Sequence, residues 1–184
     1  MALIEVYSDG SISPATMENL TSSQVSSTFV GRIIVLIPHL DYGILEQVKE
    51  GIITSKGNPD STNAEILAAR RAKEICNQRG IANYTILTDN LGVAEHSGID
   101  GVRFLETGKV HYASLFLDRI LSRARYLRHS SRKVLNRAKP NQLQEELYRM
   151  FVSERYEIQL SKSLLWQRIL MEMPAAGGDH LSTS

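Results

Sequence analysis

The chain has 184 residues, of which 42% are hydrophobic and 22% charged, and its formal net charge is +1. Such a chain can form one domain of ordinary size with a modest extension, and its composition is that of a soluble globular protein. No apolar run approaches the roughly 20 residues that a membrane span needs. The N-terminus lacks a basic start followed by an apolar stretch, so we expect neither a membrane span nor a secretory signal.

Cysteine usage narrows the chemistry further. Cys76 is the only cysteine, which excludes an internal disulfide and a metal site built from cysteines. The simplest interpretation is a reducing, cytoplasmic setting.

Three strands are predicted first along the chain. Leu3–Tyr7 is rich in β-formers and runs into a Ser-Asp-Gly-Ser turn. Phe29–Ile37 is a strongly apolar strand that stops at a proline. Tyr42–Thr54 is the third strand, bent at its glycines. Between the first two strands, the Ser/Thr-rich stretch Ile12–Thr28 is predicted to be a long loop. Three consecutive strands indicate an antiparallel meander.

The hydrophobic period then changes to that of a helix. Asn63–Arg79 places its apolar residues on one helical face, and Tyr84–Thr88 is a short strand. A helical turn at Leu91–His96 precedes a fifth strand, Val102–Glu106, and a helix at Tyr112–Leu127. This order predicts an α/β fold with a mixed sheet, in which the crossover helix brings the fourth strand beside the first.

The last part of the chain is predicted to be helical. Asn141–Met173 has the pattern of two amphipathic helices, and 174–184 is predicted to be a mobile tail. Packing on the core is the default for these helices, while a dimer interface or a docked protein partner stays open. Trp166 lies in their apolar stripe and is expected to be a packing anchor.

Four acidic residues each have an ordinary explanation when taken singly. Asp9 belongs to a turn pair with the next glycine. Glu65 completes a helix capping box with Thr62. Asp89 ends a strand, and Asp118 fits a solvated helix position.

Together, the same four residues suggest a metal site, because each lies on a different element and the crossover brings Asp9 and Asp89 to adjacent parallel strands. Ligands tend to bind at the carboxyl ends of such strands. Clustered carboxylates repel each other unless cations neutralise them. Mg²⁺ prefers oxygen ligands, and two ions about 4 Å apart can activate a water and stabilise the leaving oxygen of a phosphodiester.

Four segments carry a family resemblance. Ile4–Ser11 resembles the first-strand motif of the ribonuclease H type I family, and Ser61–Ala69 looks like its threonine-asparagine-x-glutamate helix start. Ile86–Asn90 is similar to its threonine-aspartate-serine strand end. Tyr112–Ala124 looks like its final helix with the fourth aspartate. The resemblance spans roughly residues 1–125.

The resemblance implies a ribonuclease H-like fold as a catalytic domain over 1–128: a five-stranded mixed sheet, with three antiparallel strands and then parallel strands, flanked by helices. The residue pattern adds a C-terminal basic and amphipathic helical extension over 129–173 and a flexible tail over 174–184. Asp9, Glu65, Asp89 and Asp118 would then be the catalytic ligands of two Mg²⁺ or Mn²⁺ ions. The implied activity is endonucleolytic hydrolysis of the RNA strand of RNA–DNA hybrids, leaving 5′-phosphate and 3′-hydroxyl ends.

The chain departs from the family pattern in two places. The loop after the first motif has no glycine in Ile12–Thr28, and only 29 positions separate Asp89 from Asp118 (118 − 89), which curtails the region that often carries a basic substrate-binding protrusion. His111 is the nearest candidate for the family's mobile product-release histidine. A lone histidine near a helix start is more often structural.

A basic segment offers a nucleic-acid contact. Residues 119–139 contain eight Lys or Arg and no acidic residue, which favours phosphate binding that weakens with salt, although a solvated helix face is the ordinary explanation. The predicted nucleic-acid contacts are Ser11, Asn63, Asn90, Arg119, Arg123, Arg125, Arg128, Arg132 and Lys133.

Two alternatives to cleavage of RNA–DNA hybrids stay open. One is a nuclease of the same fold that cuts DNA or structured RNA, and the other is a catalytically silent module that binds nucleic acid or a protein.

Overall fold

A computed structural model of the chain describes residues 2–14, 29–48, 60–106, 110–122 and 141–173. Its strands are β1 (Ile4–Pro14), β2 (Phe29–Ile37), β3 (Tyr42–Val48), β4 (Tyr84–Thr88), β5 (Val102–Phe104) and β6 (Arg155–Gln159). Its helices are α1 (Ser61–Gln78), α2 (Leu91–His96), α3 (112–122), α4 (Gln142–Val152) and α5 (Leu164–Met171). Short 3-10 turns lie at Pro38–Leu40 and Leu160–Lys162.

These strands form one six-stranded mixed sheet in the order β5-β4-β1-β2-β3-β6. β1, β2 and β3 pair antiparallel, which confirms the predicted meander. β4 lies parallel to β1 and β5 parallel to β4, which confirms the crossover through α1. The protein is therefore an α/β fold with a mixed sheet flanked by helices.

The sheet is buried on both faces because apolar side chains alternate between two hydrophobic clusters. Along β1, Val6 belongs to the cluster that contains α1 and α2, whereas Tyr7 belongs to the cluster that contains α3, α4 and α5. The same alternation occurs at Val35 and Leu36 of β2. Successive strand residues point to opposite faces, so continuous apolar runs are what a sheet covered on both sides requires.

The prediction that β1 ends at a turn near Asp9 was wrong. β1 continues to Pro14, and β2 pairs with it as far as Pro14 opposite Phe29. Gly10 fits within the strand because α1 packs directly on its backbone. A Cβ at Gly10 would lie 2.4 Å from the carbonyl carbon of Ala64. Ile12–Pro14 is therefore strand, while 15–28 lies outside the described residues, as does the predicted strand continuation at 49–54.

The two helices predicted over Asn141–Met173 are present as α4 and α5, but a strand lies between them, so the predicted strand count of five was wrong. Arg155–Gln159 is a strand that pairs antiparallel with β3. Its side chains alternate, since Tyr156 and Ile158 turn inward while Arg155 is exposed. The five-residue alternation is difficult to recognise in the sequence because it lies between the apolar stripes of α4 and α5. The strand is the sixth of the sheet.

The C-terminal segment packs on the core. α4, β6 and α5 contribute to the same hydrophobic cluster as β1, with Trp166 edge-to-face against Tyr112 and Phe116, as expected of a packing anchor. The sheet and core thus continue beyond the boundary predicted at residue 128, while 129–140 and the predicted tail at 174–184 lie outside the described residues. None of the described helices is long and apolar enough to cross a membrane.

Candidate functional site

The candidate site lies where β4 ends and β1 continues. Tyr7 on β1 is in register with Leu87 on β4. Asp9 lies two residues further along β1, and Asp89 is the residue that follows β4. Their ligand atoms lie within 4.8 Å of each other, which confirms the predicted neighbourhood of these two residues. β4 stops at Thr88, so β1 continues past the end of its parallel neighbour.

Asp9 is a buried carboxylate with a strongly altered acidity. The residue is only 7% exposed, among the few buried polar residues of the described chain. Burial, and then the nearby charge of Asp89, raise the pKa of Asp9 to about 8. The hydroxyl of Ser114 opposes this rise by hydrogen bonding to the carboxylate, and Glu65 adds to the repulsion. A cation beside Asp9 would favour its ionised form near neutral pH.

Glu65 approaches the same place from the first turns of α1. The predicted capping box with Thr62 was wrong, because Asp60 is the N-cap residue and accepts a hydrogen bond from the backbone N–H of Thr62 at 2.9 Å. Glu65 is therefore free of a capping role. Burial and the charge of Asp89 raise its pKa to about 7, and its buried Oε2 atom has no hydrogen-bond partner. An orphaned carboxylate oxygen of this kind fits a cation that binds there.

Asn90 connects Glu65 to the end of β4. Its Oδ1 accepts a hydrogen bond from the backbone N–H of Val93 at 3.0 Å and caps α2. Its side chain also hydrogen-bonds Glu65 and thereby lowers the pKa of that carboxyl. These bonds give Asn90 a structural role, and its contact with nucleic acid stays a prediction.

Two further predicted contacts surround the acidic residues. Ser11 lies in β1 two residues after Asp9, on the same face of the sheet, and is half-buried. Asn63 lies half-buried in the first turn of α1. Both stand close in sequence to an acidic residue of the site, and their contact with nucleic acid stays a prediction.

Asp118 lies on α3 and is exposed. It is four residues after Ser114, which puts the two on the same face of the helix, and Ser114 contacts Asp89. Burial and the charge of Asp89 raise the pKa of Asp118. Asp118 therefore lies at the rim of the site, where it senses the charge of Asp89. Asp9, Asp89 and His111 form the described group whose ligand atoms all lie within 4.8 Å of one another.

His111 is buried and held by hydrogen bonds at both ring nitrogens. Its Nε2 lies 3.2 Å from the carbonyl oxygen of Leu87, and its Nδ1 lies 3.0 Å from the backbone nitrogen of Ser114. A carbonyl only accepts and a backbone N–H only donates, so the proton is assigned to Nε2 and the lone pair of Nδ1 is engaged. Burial lowers the pKa of His111 and favours this neutral form. The ring thus has no free lone pair for a metal ion, although it lies beside both aspartates.

Ser114 is the contact that sequence reasoning missed. Its hydroxyl donates to Oδ2 of Asp89 at 2.6 Å and lies 2.6 Å from Nδ1 of His111. It also lowers the pKa of Asp9. The signal was in the spacing, since Ser114 is three residues after His111 and four before Asp118 and so shares their helix face.

The four carboxylates lack cationic partners in the part of the chain that the structure describes. None of the ion pairs there involves Asp9, Glu65, Asp89 or Asp118. Carboxylate oxygens brought together without Lys or Arg are a donor set suited to Mg²⁺ or Mn²⁺. The residues present therefore fit a divalent cation between Asp9 and Asp89, with Glu65 and Asp118 near enough to sense the charge of Asp89.

The predicted basic segment is described only at its start. Arg119 forms an exposed ion pair with Glu172, the residue that follows α5. Arg123, Arg125, Arg128, Arg132 and Lys133 lie outside the described residues. Phosphate binding by this segment stays a prediction.

Comparison with protein-family models, with curated proteins and with solved structures found no significant match to this chain.

Proposed function

We propose that the protein is a metal-dependent endonuclease of the ribonuclease H-like type that hydrolyses the RNA strand of RNA–DNA hybrids. The observation that carries the proposal is the meeting of Asp9 and Asp89 on adjacent parallel strands, with Glu65 joining from the crossover helix. The mixed sheet and the four motif segments described above support the same proposal.

The uncompensated charge supports a metal-dependent activity over a purely structural role. A buried carboxylate is destabilising unless it is paired, hydrogen-bonded or bound to a metal. Asp9 and Glu65 both have raised pKa values, which mark a site where the protein tolerates repulsion. Such perturbed groups cluster at functional sites.

The proposed role of each residue follows from the position of its side chain. Asp9, Glu65, Asp89 and Asp118 would hold two Mg²⁺ or Mn²⁺ ions. When bound, these ions supply a nucleophilic water and charge stabilisation for phosphodiester hydrolysis. Asp9 is fixed by burial in β1, and Asn90 holds Glu65 by a hydrogen bond. The products would carry 5′-phosphate and 3′-hydroxyl ends.

The test is cleavage of an end-labelled RNA–DNA hybrid with Mg²⁺ or Mn²⁺, beside duplex DNA, duplex RNA and both single strands. Asp9→Asn and Asp89→Asn are expected to abolish cutting. Asp100→Asn is the matched control, because Asp100 is an exposed aspartate just before β5, at the amino end of a strand whose carboxyl end is near the site. This variant is expected to cut like the wild type.

Each other outcome has a definite meaning. Cutting of duplex DNA or duplex RNA in preference to the hybrid would favour a nuclease of different substrate choice. A folded protein that binds nucleic acid in a salt-sensitive way but cuts none of the substrates would contradict the proposal and favour the silent binding module. Equal loss of activity in Asp100→Asn would show that the aspartate variants act through folding.

A further inference from the structure

His111 and Ser114 together connect α3 to β4 at two points. The first point is the hydrogen bond from Nε2 of His111 to the carbonyl oxygen of Leu87, within the strand. The second is the hydrogen bond from Oγ of Ser114 to Asp89, just after the same strand. The backbone N–H of Ser114 donates to Nδ1 of His111 and joins the two points. The start of α3 is therefore locked to the strand end that carries Asp89.

We propose that Ser114 is a positioning residue that presets the Asp89 carboxylate for a divalent cation, with His111 as its anchor. This inference rests on the proposed function. Asp89 is exposed, so without a partner its side chain would sample several rotamers and bring a ligand oxygen to the site only part of the time. The hydroxyl of Ser114 is the side-chain donor to Asp89 in the described structure.

The test measures binding of Mn²⁺ alone by isothermal titration calorimetry, so it does not depend on catalysis. Ser114→Ala is expected to weaken Mn²⁺ binding about 10-fold, the lower end of what loss of a ligand-orienting partner costs. Ser114→Thr keeps the hydroxyl and is expected to restore affinity. In cleavage assays, Ser114→Ala should raise the Mn²⁺ concentration for half-maximal rate while the rate at saturating Mn²⁺ recovers.

Ser161→Ala is the matched control. Ser161 makes a hydrogen bond of the same length, 2.6 Å, to the carboxylate of Asp41, and it lies in the 3-10 turn after β6, at the opposite edge of the sheet. Removing it deletes an equivalent serine–aspartate bond outside the site. Mn²⁺ affinity should stay at the wild-type value.

Three results would overturn the positioning role. They are unchanged Mn²⁺ affinity in Ser114→Ala, tighter binding that shows the hydroxyl competing with the ion, and equal weakening in Ser161→Ala. All three require that the wild type binds Mn²⁺. A folded wild type that binds no Mn²⁺ would instead overturn the proposed function itself, and the positioning role with it.

Discussion

Helix α1 carries glutamates in two opposite electrostatic settings. Near its start, Glu65 meets Asp89 without a cationic partner among the described residues, and one of its oxygens is orphaned. Further along, Arg71 binds Glu46 of β3 and Glu74 of its own helix, both at 2.9 Å. Glu46 also lies 3.5 Å from Arg155 of β6. Like charges therefore lie close together near the start of α1, whereas further along the helix each carboxylate is paired with an arginine.

The two parts of α1 differ in whether their carboxylates have cationic partners, and this difference indicates which part is suited to bind a metal ion. A partly buried acidic residue such as Glu46, whose side chain is 16% exposed, is stable next to two guanidinium groups. The carboxylates of the site have no such neighbours, so they raise the free energy of the metal-free fold and would lower it once a divalent cation binds. Unfavourable local interactions, such as repulsion between these carboxylates, are expected at functional sites, where the stability of the rest of the fold offsets them.

The largest expected effect is on the stability of the metal-free protein. Asp9→Asn should increase the free energy of unfolding by several kcal/mol at pH 9 in EDTA, since each pKa unit corresponds to about 1.36 kcal/mol. The folded-state pKa of Asp9, about 8, lies above its ordinary value of 3.8. The native state therefore holds a proton that the unfolded state releases, and wild-type stability falls as pH rises through that window.

Urea unfolding at pH 4 and pH 9 measures this difference. The gap between Asp9→Asn and wild type should be small at pH 4 and large at pH 9, and excess Mn²⁺ should stabilise only the wild type. Asp100→Asn serves again as the control and should follow the wild type at both pH values. A destabilised Asp9→Asn at pH 9 would mean that the carboxylate is compensated, and the contrast along α1 would disappear.

A slightly smaller effect tests how the acidic cluster is assembled. Gly10→Ala should lower the free energy of unfolding by about 3 kcal/mol, the upper end for overpacking, because its Cβ would lie 2.4 Å from backbone atoms of Ala64. Relief requires α1 to move away from β1 at the turn that carries Glu65. Mn²⁺ binding should therefore weaken as well. Stability within about 0.5 kcal/mol of wild type, measured by urea unfolding, would contradict this close approach.

These positions also show how far sequence reasoning reaches. The apolar runs and the crossover helix sufficed to predict the meander, the parallel strand and the neighbourhood of Asp9 and Asp89. The pattern did not reveal that β1 passes through Asp9 and Gly10, because an aspartate–glycine pair has the local chemistry of a turn. Only the packing of α1 on Gly10 requires a glycine within a strand.

The same limit applies to β6 and to Ser114. β6 has five residues between two apolar helices, too short for its period of two to stand out. Ser114 acts through hydrogen bonds to residues 25 positions earlier and three positions earlier in the chain. Contacts of this kind follow from the tertiary structure, although the shared face with Asp118 is visible in the spacing.

A moderate effect is expected at the paired end of α1. Glu46→Gln should lower the free energy of unfolding by about 1–2 kcal/mol, because Arg71 and Arg155 lose the part-buried carboxylate that they share and keep only the exposed Glu74 and Glu157. Unlike Asp9→Asn, this change should be equally unfavourable with and without Mn²⁺. Urea unfolding under both conditions measures it. A stabilised Glu46→Gln would show that the two ends of α1 do not differ as described.

The smallest effect on stability, with a separate effect on binding, is expected at Glu172. This residue pairs with Arg119, and both side chains are more than two-fifths exposed. Exposed pairs contribute little, so Glu172→Gln should change the free energy of unfolding by less than about 0.5 kcal/mol. The substitution removes a negative charge and frees Arg119, the first residue of the predicted basic segment.

Fluorescence anisotropy with a labelled RNA–DNA hybrid should show about two- to threefold tighter binding of Glu172→Gln at low salt, with the gain fading as salt rises. Glu95→Gln removes another exposed negative charge, from α2, and should change affinity less. Equal gains in both variants would mean that only net charge matters, and unchanged affinity in Glu172→Gln would place Arg119 outside the nucleic-acid contact.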